Sequence, residues 1–231
     1  MHGTIHARQL AFMADVEATF SELQPQLRIV EHEFPIIIEG SFFLKSPDGP
    51  FDQFQVRIVL DKNFPRREPK VFEIGQRIPR TIDRHINKDG DCCLTVWEEW
   101  LVKTSDRSFR GFLTGPVHEF FLSQWFYEKK GIWRFGQRSH GTAGLVEAYA
   151  DILGVPAKQE TILYYLRLLA LDWPKGHWLC PCGSELILRH CHRSRLLELH
   201  ALVPPRLAKR MLLRLRQFIS VRRRGPKLPA S

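Results

Sequence analysis

Apolar residues at helical spacing, Leu10, Met13, Phe20 and Leu23, run through the first two dozen positions and stop at Pro25. This predicts an amphipathic helix ended by a residue that has no amide hydrogen to donate. The period then changes. "FPIIIEGSFFLK" is rich in β-branched and aromatic residues and reads as a strand, and "SPDGP" follows as a turn in which proline presets one dihedral and glycine tolerates the next. In "FDQFQVRIVL", Phe54, Val56, Ile58 and Leu60 alternate with Gln53, Gln55 and Arg57, the pattern of a half-buried strand. "NFPRREP" interrupts, and "KVFEI" is a third short strand. Past residue 97 the pattern is helical again, in "GPVHEFFLSQWFYEKKG", "TAGLVEAYADILG" and "PAKQETILYYLRLLALDW". A last helix starts at Pro204-Pro205 and ends before Gly225-Pro226, with Leu207, Met211, Leu215 and Phe218 on one face and Arg206, Lys209, Arg210 and Arg214 on others.

The predicted class is therefore α+β: an N-terminal helix, an antiparallel meander of about three strands, a helical extension and a small C-terminal module. Four segments follow from the changes of pattern: 1–130, 131–172, 173–200 and 201–231. Hydrophobic residues make up 44% of the 231, enough for a real core. No run approaches the roughly 20 apolar residues needed to span a bilayer, and "MHGTIHARQL" lacks the layout of a secretory signal, so a cytoplasmic protein is expected. Five cysteines, clustered at 92–93 and 180–191, do not resemble a disulfide framework and point to metal binding or catalysis. From Arg193 onward, 11 Lys/Arg stand against the single acid Glu198, whereas the first 192 residues hold 23 Lys/Arg and 24 Asp/Glu. The basic end, including Arg222–Arg224, is thus suited to an anionic surface, nucleic acid or acidic partner, although a solvated helix with its apolar side on the C-terminal module is the favoured reading.

"HINKDGDCCLTVW" places two cysteines after a turn and before an apolar run. The order of elements around it, with Phe64-Pro65, Pro69 and Val71, then His85-x-Asn87, Gly90, Cys93-Leu94 and Trp100, resembles the ubiquitin-conjugating enzymes over about residues 8–125. It looks like a remote member, similar to those of bacterial operons for ubiquitin-like modification, which are associated with defence against phage. The sequence departs from the family pattern in three ways: Ile86 replaces the proline of "HPN", the span from Asn87 to Cys93 is two residues shorter, and Cys92 stands where the family has a buried isoleucine. The later helices also leave the pattern. The resemblance implies that Cys93 accepts a ubiquitin-like modifier from an activating enzyme as a thioester and passes it to an amine of a target protein. It also implies that Asn87 stabilises the oxyanion and holds the turn, and that His85 is structural. Adjacent extended residues point opposite ways, so Cys92 is expected inward and Cys93 outward.

"CPCGSELILRHCH" packs three cysteines and two histidines into thirteen positions. Thiolate and imidazole are the preferred ligands of closed tetrahedral zinc. Cys180, Cys182, Cys191 and His192 resemble the zinc motif at the carboxy end of the SecA translocase, with Gly183-Ser184 at its tight turn, which implies a structural or partner-binding zinc held by these four; His190 is an alternative ligand on the sequence. Two rival functions remain open on the sequence. One is a cysteine hydrolase pairing Cys93 with His140, which lies between glycine-rich turns. The other is a non-catalytic module whose zinc and basic segments recruit protein or nucleic acid.

Overall fold

In the computed structural model, which describes residues 2–133, 139, 141–172, 175–180 and 182–223, helix α1 (His2–Leu23) stops short of Pro25. It buries Val16 and Phe20, while Leu10 of the expected apolar face points outward at 54% exposure. Four antiparallel strands follow in the order β1 (Leu27–Glu31), β2 (Ile36–Ser46), β3 (Gly49–Leu60) and β4 (Lys70–Glu73). One strand, β1, exceeds the expected three. Its five residues directly behind the break at Pro25 are too few for alternation to stand out. The Pro47-Asp48 turn joins β2 to β3, and in register Ile36 faces Leu60, Ile38 faces Ile58, and Phe42 faces Phe54. All six are buried, because a period of two sends them to one face. Where β1 crosses β2, a Cβ on Gly40 would lie 2.0 Å from the Gln26 carbonyl oxygen, and its φ of +141° is one that glycine alone adopts freely.

Beyond the sheet come α2 (Trp97–Lys103), α3 (Phe109–Phe112) and α4 (His118–Lys130). The sequence suggested a helix beginning near Pro116. Helical backbone instead starts at Phe109, and the proline sits within a π turn, Leu113–Val117, that joins α3 to α4. A wider turn accommodates a ring that cannot complete the normal hydrogen-bond ladder. Phe121 of α4 lies over Phe42 and Phe54 at ring-centroid distances of 5.5 and 4.8 Å, closing the core against the sheet.

The chain divides into two compact units, Met1–Gln137 and Arg138–Ser231. The second contains α5 (Thr142–Leu153), α6 (Gln159–Leu169), α7 (Arg193–Leu202) and α8 (Pro205–Arg223). Thus the helical extension from residue 138, the Cys/His segment and the basic helix lie together in one unit. The buried side of α8, Ala208, Met211 and Leu215, is fully covered, and α8 packs on α6 and α5 rather than mainly on the Cys/His segment. Among the described residues, no helix is long and apolar enough to cross a membrane.

Candidate functional site

The cysteine turn is a narrow antiparallel ribbon. The Asn87 amide donates to the Asp91 carbonyl (2.8 Å), the Gly90 amide to the Asn87 carbonyl (2.9 Å), and the Cys93 amide to the His85 carbonyl (2.8 Å). Gly90 supplies the positive φ, +86°, that reverses the chain. The ribbon is fastened to the sheet because the Cys92 amide donates to the Val71 carbonyl of β4. Ile86 and Cys92 pair across the ribbon and both point into the core at 5% and 6% exposure. Cys93, one step on, is exposed. Burial pushes the Cys92 thiol well above the usual cysteine range, so it stays protonated and inert. The exposed Asn87 side chain donates to an Asp91 carboxylate oxygen at 2.9 Å, which leaves its amide one further N–H to offer.

His85 takes a left-handed conformation (φ 53°) at the end of a short 3₁₀ turn, Ile82–Arg84. Non-glycine residues seldom do so without support, and the support comes from α4. Gln124, fully buried, donates through Nε2 to the Arg84 carbonyl (2.8 Å) and accepts from Arg84 Nε (2.9 Å). The Arg84 guanidinium lies 4.7 Å from the centre of the Tyr127 ring, Tyr127 stacks on Trp133 at 4.6 Å, and Trp133 meets the His85 ring edge-on at 4.9 Å. Glu128 of the same helix joins Arg84 to Arg77, which also holds Asp52 through two hydrogen bonds of 2.6 and 2.8 Å. Two residues separate the buried Gln124 contact from the thiol: Gln124 fixes Arg84, and the next residue's carbonyl fixes Cys93.

The motif before the turn is tied to the helix after it. Trp97 Nε1 donates to the Pro65 carbonyl at 3.0 Å. The Phe64 ring lies 6.2 Å from Trp97 and 6.4 Å from Trp100. Phe64-Pro65 and Trp100, flagged separately in the sequence, therefore share one aromatic cluster. Gln124, Arg84, Trp133 and Asp91 were not singled out from the sequence. Asp91, four residues after Asn87, offered a local cue, but Gln124 lies forty residues from its partner and offered none.

In the second unit, Cys180, Cys182, Cys191 and His192 converge so that one ligand atom from each lies within 4.8 Å of all the others. Cys180 Sγ is 3.2 Å and Cys191 Sγ 3.1 Å from His192 Nδ1, and the Cys182 and Cys191 sulfurs are 3.5 Å apart. Positive φ angles at Gly183 (+81°) and Glu185 (+61°) curl the chain tightly enough to do this. His190 is exposed and is not part of the converging set. Burial raises the Cys180 thiol to about 11, whereas hydrogen bonding from the Ser184 hydroxyl first, then from backbone and neighbouring thiols, pulls Cys182 down to about 6. A set of three sulfurs and one imidazole at these separations can hold a metal ion.

His140, the proposed hydrolase partner of Cys93, lies outside the described residues. The class defined by the described residues is an α+β protein with a four-stranded antiparallel sheet behind an N-terminal helix. The chain matches no protein-family model, no curated protein and no solved structure.

Proposed function

We propose that the protein is a carrier of a ubiquitin-like modifier, built on a conjugating-enzyme fold, with Cys93 as the thioester-forming residue. The observation that carries this reading is the division of the adjacent cysteines: Cys92 is buried under β4, and Cys93 is exposed at the end of a hydrogen-bonded ribbon. A thiol that receives an already activated acyl group needs access and a fixed backbone more than it needs a neighbouring base. In the first step the Cys93 thiolate attacks the thioester carbonyl held by an activating enzyme, and that enzyme's thiolate leaves. In the second, an amine of the target attacks the Cys93 thioester, the Cys93 thiolate is expelled, and the amine loses a proton. Asn87, its amide held by Asp91, donates its remaining N–H to the oxyanion formed in each step, and loss of such a donor costs on the order of 3 kcal/mol. His85 acts through structure, its carbonyl holding the Cys93 amide. The bacterial antiphage setting rests on the sequence resemblance alone.

The metal of the second unit is, in the same proposal, a structural zinc. Zinc–sulfur and zinc–nitrogen bonds of about 2.3 and 2.0 Å give sulfur–nitrogen edges of about 3.5 Å and sulfur–sulfur edges of about 3.8 Å, and the separations of 3.2, 3.1 and 3.5 Å here are each shorter by only about 0.3 to 0.4 Å. Four protein ligands leave no open position for substrate.

The deciding experiment incubates the protein with its activating enzyme, modifier and ATP. A thiol-reducible adduct is expected; Cys93→Ser should convert it to a reduction-resistant ester, Cys93→Ala should abolish it, and Cys92→Ala should leave it in place. An adduct that survives Cys93→Ala removes Cys93 from the role.

A further inference from the structure

The formal charge of the chain is divided along the boundary between its two units. Residues 1–137 contain 18 Lys/Arg and 19 Asp/Glu, and residues 138–231 contain 16 Lys/Arg and 6 Asp/Glu. The whole excess of positive charge thus belongs to the second unit, and twelve of its sixteen cations are arginine. Helix α8 is the extreme case, since Pro205–Arg223 contains no acid.

Its geometry sorts these residues. Ala208, Met211 and Leu215 face inward and are fully buried. Arg206, Lys209, Leu213 and Arg216, at steps of three, four and three, form one stripe on the opposite side, and all four are exposed. At 1.5 Å per residue the stripe is about 15 Å long. Among the described residues, neither Arg206, Lys209 nor Arg216 has an acidic partner, although shorter-range pairs such as Arg195–Glu198 do form on α7. A run of cations that is not neutralised from within is matched by a linear array of anions.

We propose that this stripe is a sequence-independent docking surface for the phosphate backbone of duplex nucleic acid. Three arguments select that occupant. A lipid surface would require the apolar side of α8 to enter the acyl boundary, but that side is spent on α5 and α6. Single-stranded nucleic acid is held by aromatic side chains that stack on bases, and the stripe has none. A duplex presents about one charge per 1.7 Å of axis, so a 15 Å cationic stripe faces several phosphates at once, and guanidinium meets phosphate oxygens in a two-pronged geometry that ammonium cannot reproduce. Leu213, 59% exposed in the middle of the stripe, supplies apolar contact to sugar. The proposal stands independently of thioester chemistry at Cys93.

The test is fluorescence anisotropy of the full chain with a labelled 20-base-pair DNA duplex of arbitrary sequence. Three phosphate contacts give a log–log salt slope of about −2.7, so raising salt from 50 to 200 mM should weaken binding about 40-fold. Arg206→Gln/Lys209→Gln/Arg216→Gln, which keeps good helix formers at exposed sites, should reduce affinity at least tenfold at 50 mM and flatten the slope, with unchanged far-ultraviolet circular dichroism. Arg206→Lys/Arg216→Lys, which keeps the charge but loses the two-pronged contact, should keep the salt slope and weaken binding less than the glutamine triple does, and if that pair folds and binds while the glutamine triple does not fold, the triple is replaced by single glutamine substitutions read for slope alone. The proposal is overturned by a triple variant that binds as the wild type does, by binding that disappears on deleting residues 224–231 yet ignores the stripe, or by equal affinity for polyglutamate or for anionic phosphatidylserine vesicles.

Discussion

Two cysteine-bearing segments, one in each unit, show how backbone geometry decides what sulfur can do. Cys92 and Cys93 are neighbours in sequence, yet extended backbone sends one into the core and the other to solvent. They cannot share a ligand. Cys180, Cys182 and Cys191 are spread over twelve positions, yet left-handed turns at Gly183 and Glu185 bring them together with His192. Proximity in sequence separates thiols in a strand and separation in sequence unites them in a knot. The surroundings differ as well. The ribbon at 85–93 is fastened to a sheet core and to the fully buried Gln124, whereas among the described residues of the loop from 175 to 192 only Cys180 and Leu188 are buried. The first segment has a scaffold, and the second has a cluster of four side chains that could hold a metal.

The largest effect should come from removing what holds the second segment. Metal release from modules of this size forfeits about 10–16 kcal/mol of binding energy that is also folding energy. Expected are one metal per chain in the purified protein, its loss with Cys182→Ser/Cys191→Ser or strong chelation, and new protease cleavage between residues 176 and 191. Elemental analysis with mass spectrometry of the fragments reads both. If chelation leaves the loop as resistant as before, the ligands are not its scaffold and the contrast fails.

Next is Gln124→Leu. It leaves the Arg84 carbonyl and the Arg84 Nε, on a side chain only 13% exposed, without their partner, while Glu128 still faces the guanidinium. Stranded buried polar groups cost about 1–3 kcal/mol each, so a loss of about 2–4 kcal/mol is expected by chemical denaturation. Because Arg84 precedes the residue that holds Cys93, alkylation of Cys93 by iodoacetamide should also change rate in the folded protein. An unchanged rate would detach α4 from the cysteine turn.

This dependence marks the limit of what the sequence discloses. The meander was legible because Phe54, Val56, Ile58 and Leu60 alternate cleanly, and the Cys/His cluster that could hold a metal because its four members lie in thirteen positions. Strand β1 escaped notice because five residues behind a proline carry little periodicity, and α7 because Leu196 and Leu199 alone mark its buried side. The supports of the turn were illegible for a different reason. A glutamine in a helix has no pattern of its own, and only the fold brings it to Arg84.

Cys92→Ser and Asp52→Asn test smaller terms. A hydroxyl in place of the buried Cys92 thiol should cost about 1–2 kcal/mol, since nothing apolar around it can satisfy the new group. For Asp52, hydrogen bonding from Arg77 holds the carboxyl below its ordinary value. The carboxyl is depressed in the folded state, so its contribution is present above the unfolded value of about 3.9 and is lost as pH falls through the lower folded value. Asp52→Asn should therefore lower stability by about 1 kcal/mol near pH 7 and by much less near pH 2, a convergence that urea titrations at the two pH values would show. Parallel curves across that range would assign the pair no electrostatic share.

The smallest expected effect is the sharpest for the comparison. Cys93→Ser changes an exposed side chain and keeps the backbone amide that bonds the His85 carbonyl. Exposed substitutions away from caps and buried networks generally stay within about 0.5 kcal/mol, so the denaturation midpoint should match the wild type, in contrast with Cys92→Ser. Equal costs at the two positions would mean that the ribbon does not separate an inner from an outer sulfur. A negligible cost at Cys93 together with a measurable one at Cys92 fits a residue retained for what its thiol does and a neighbour retained for what it fills.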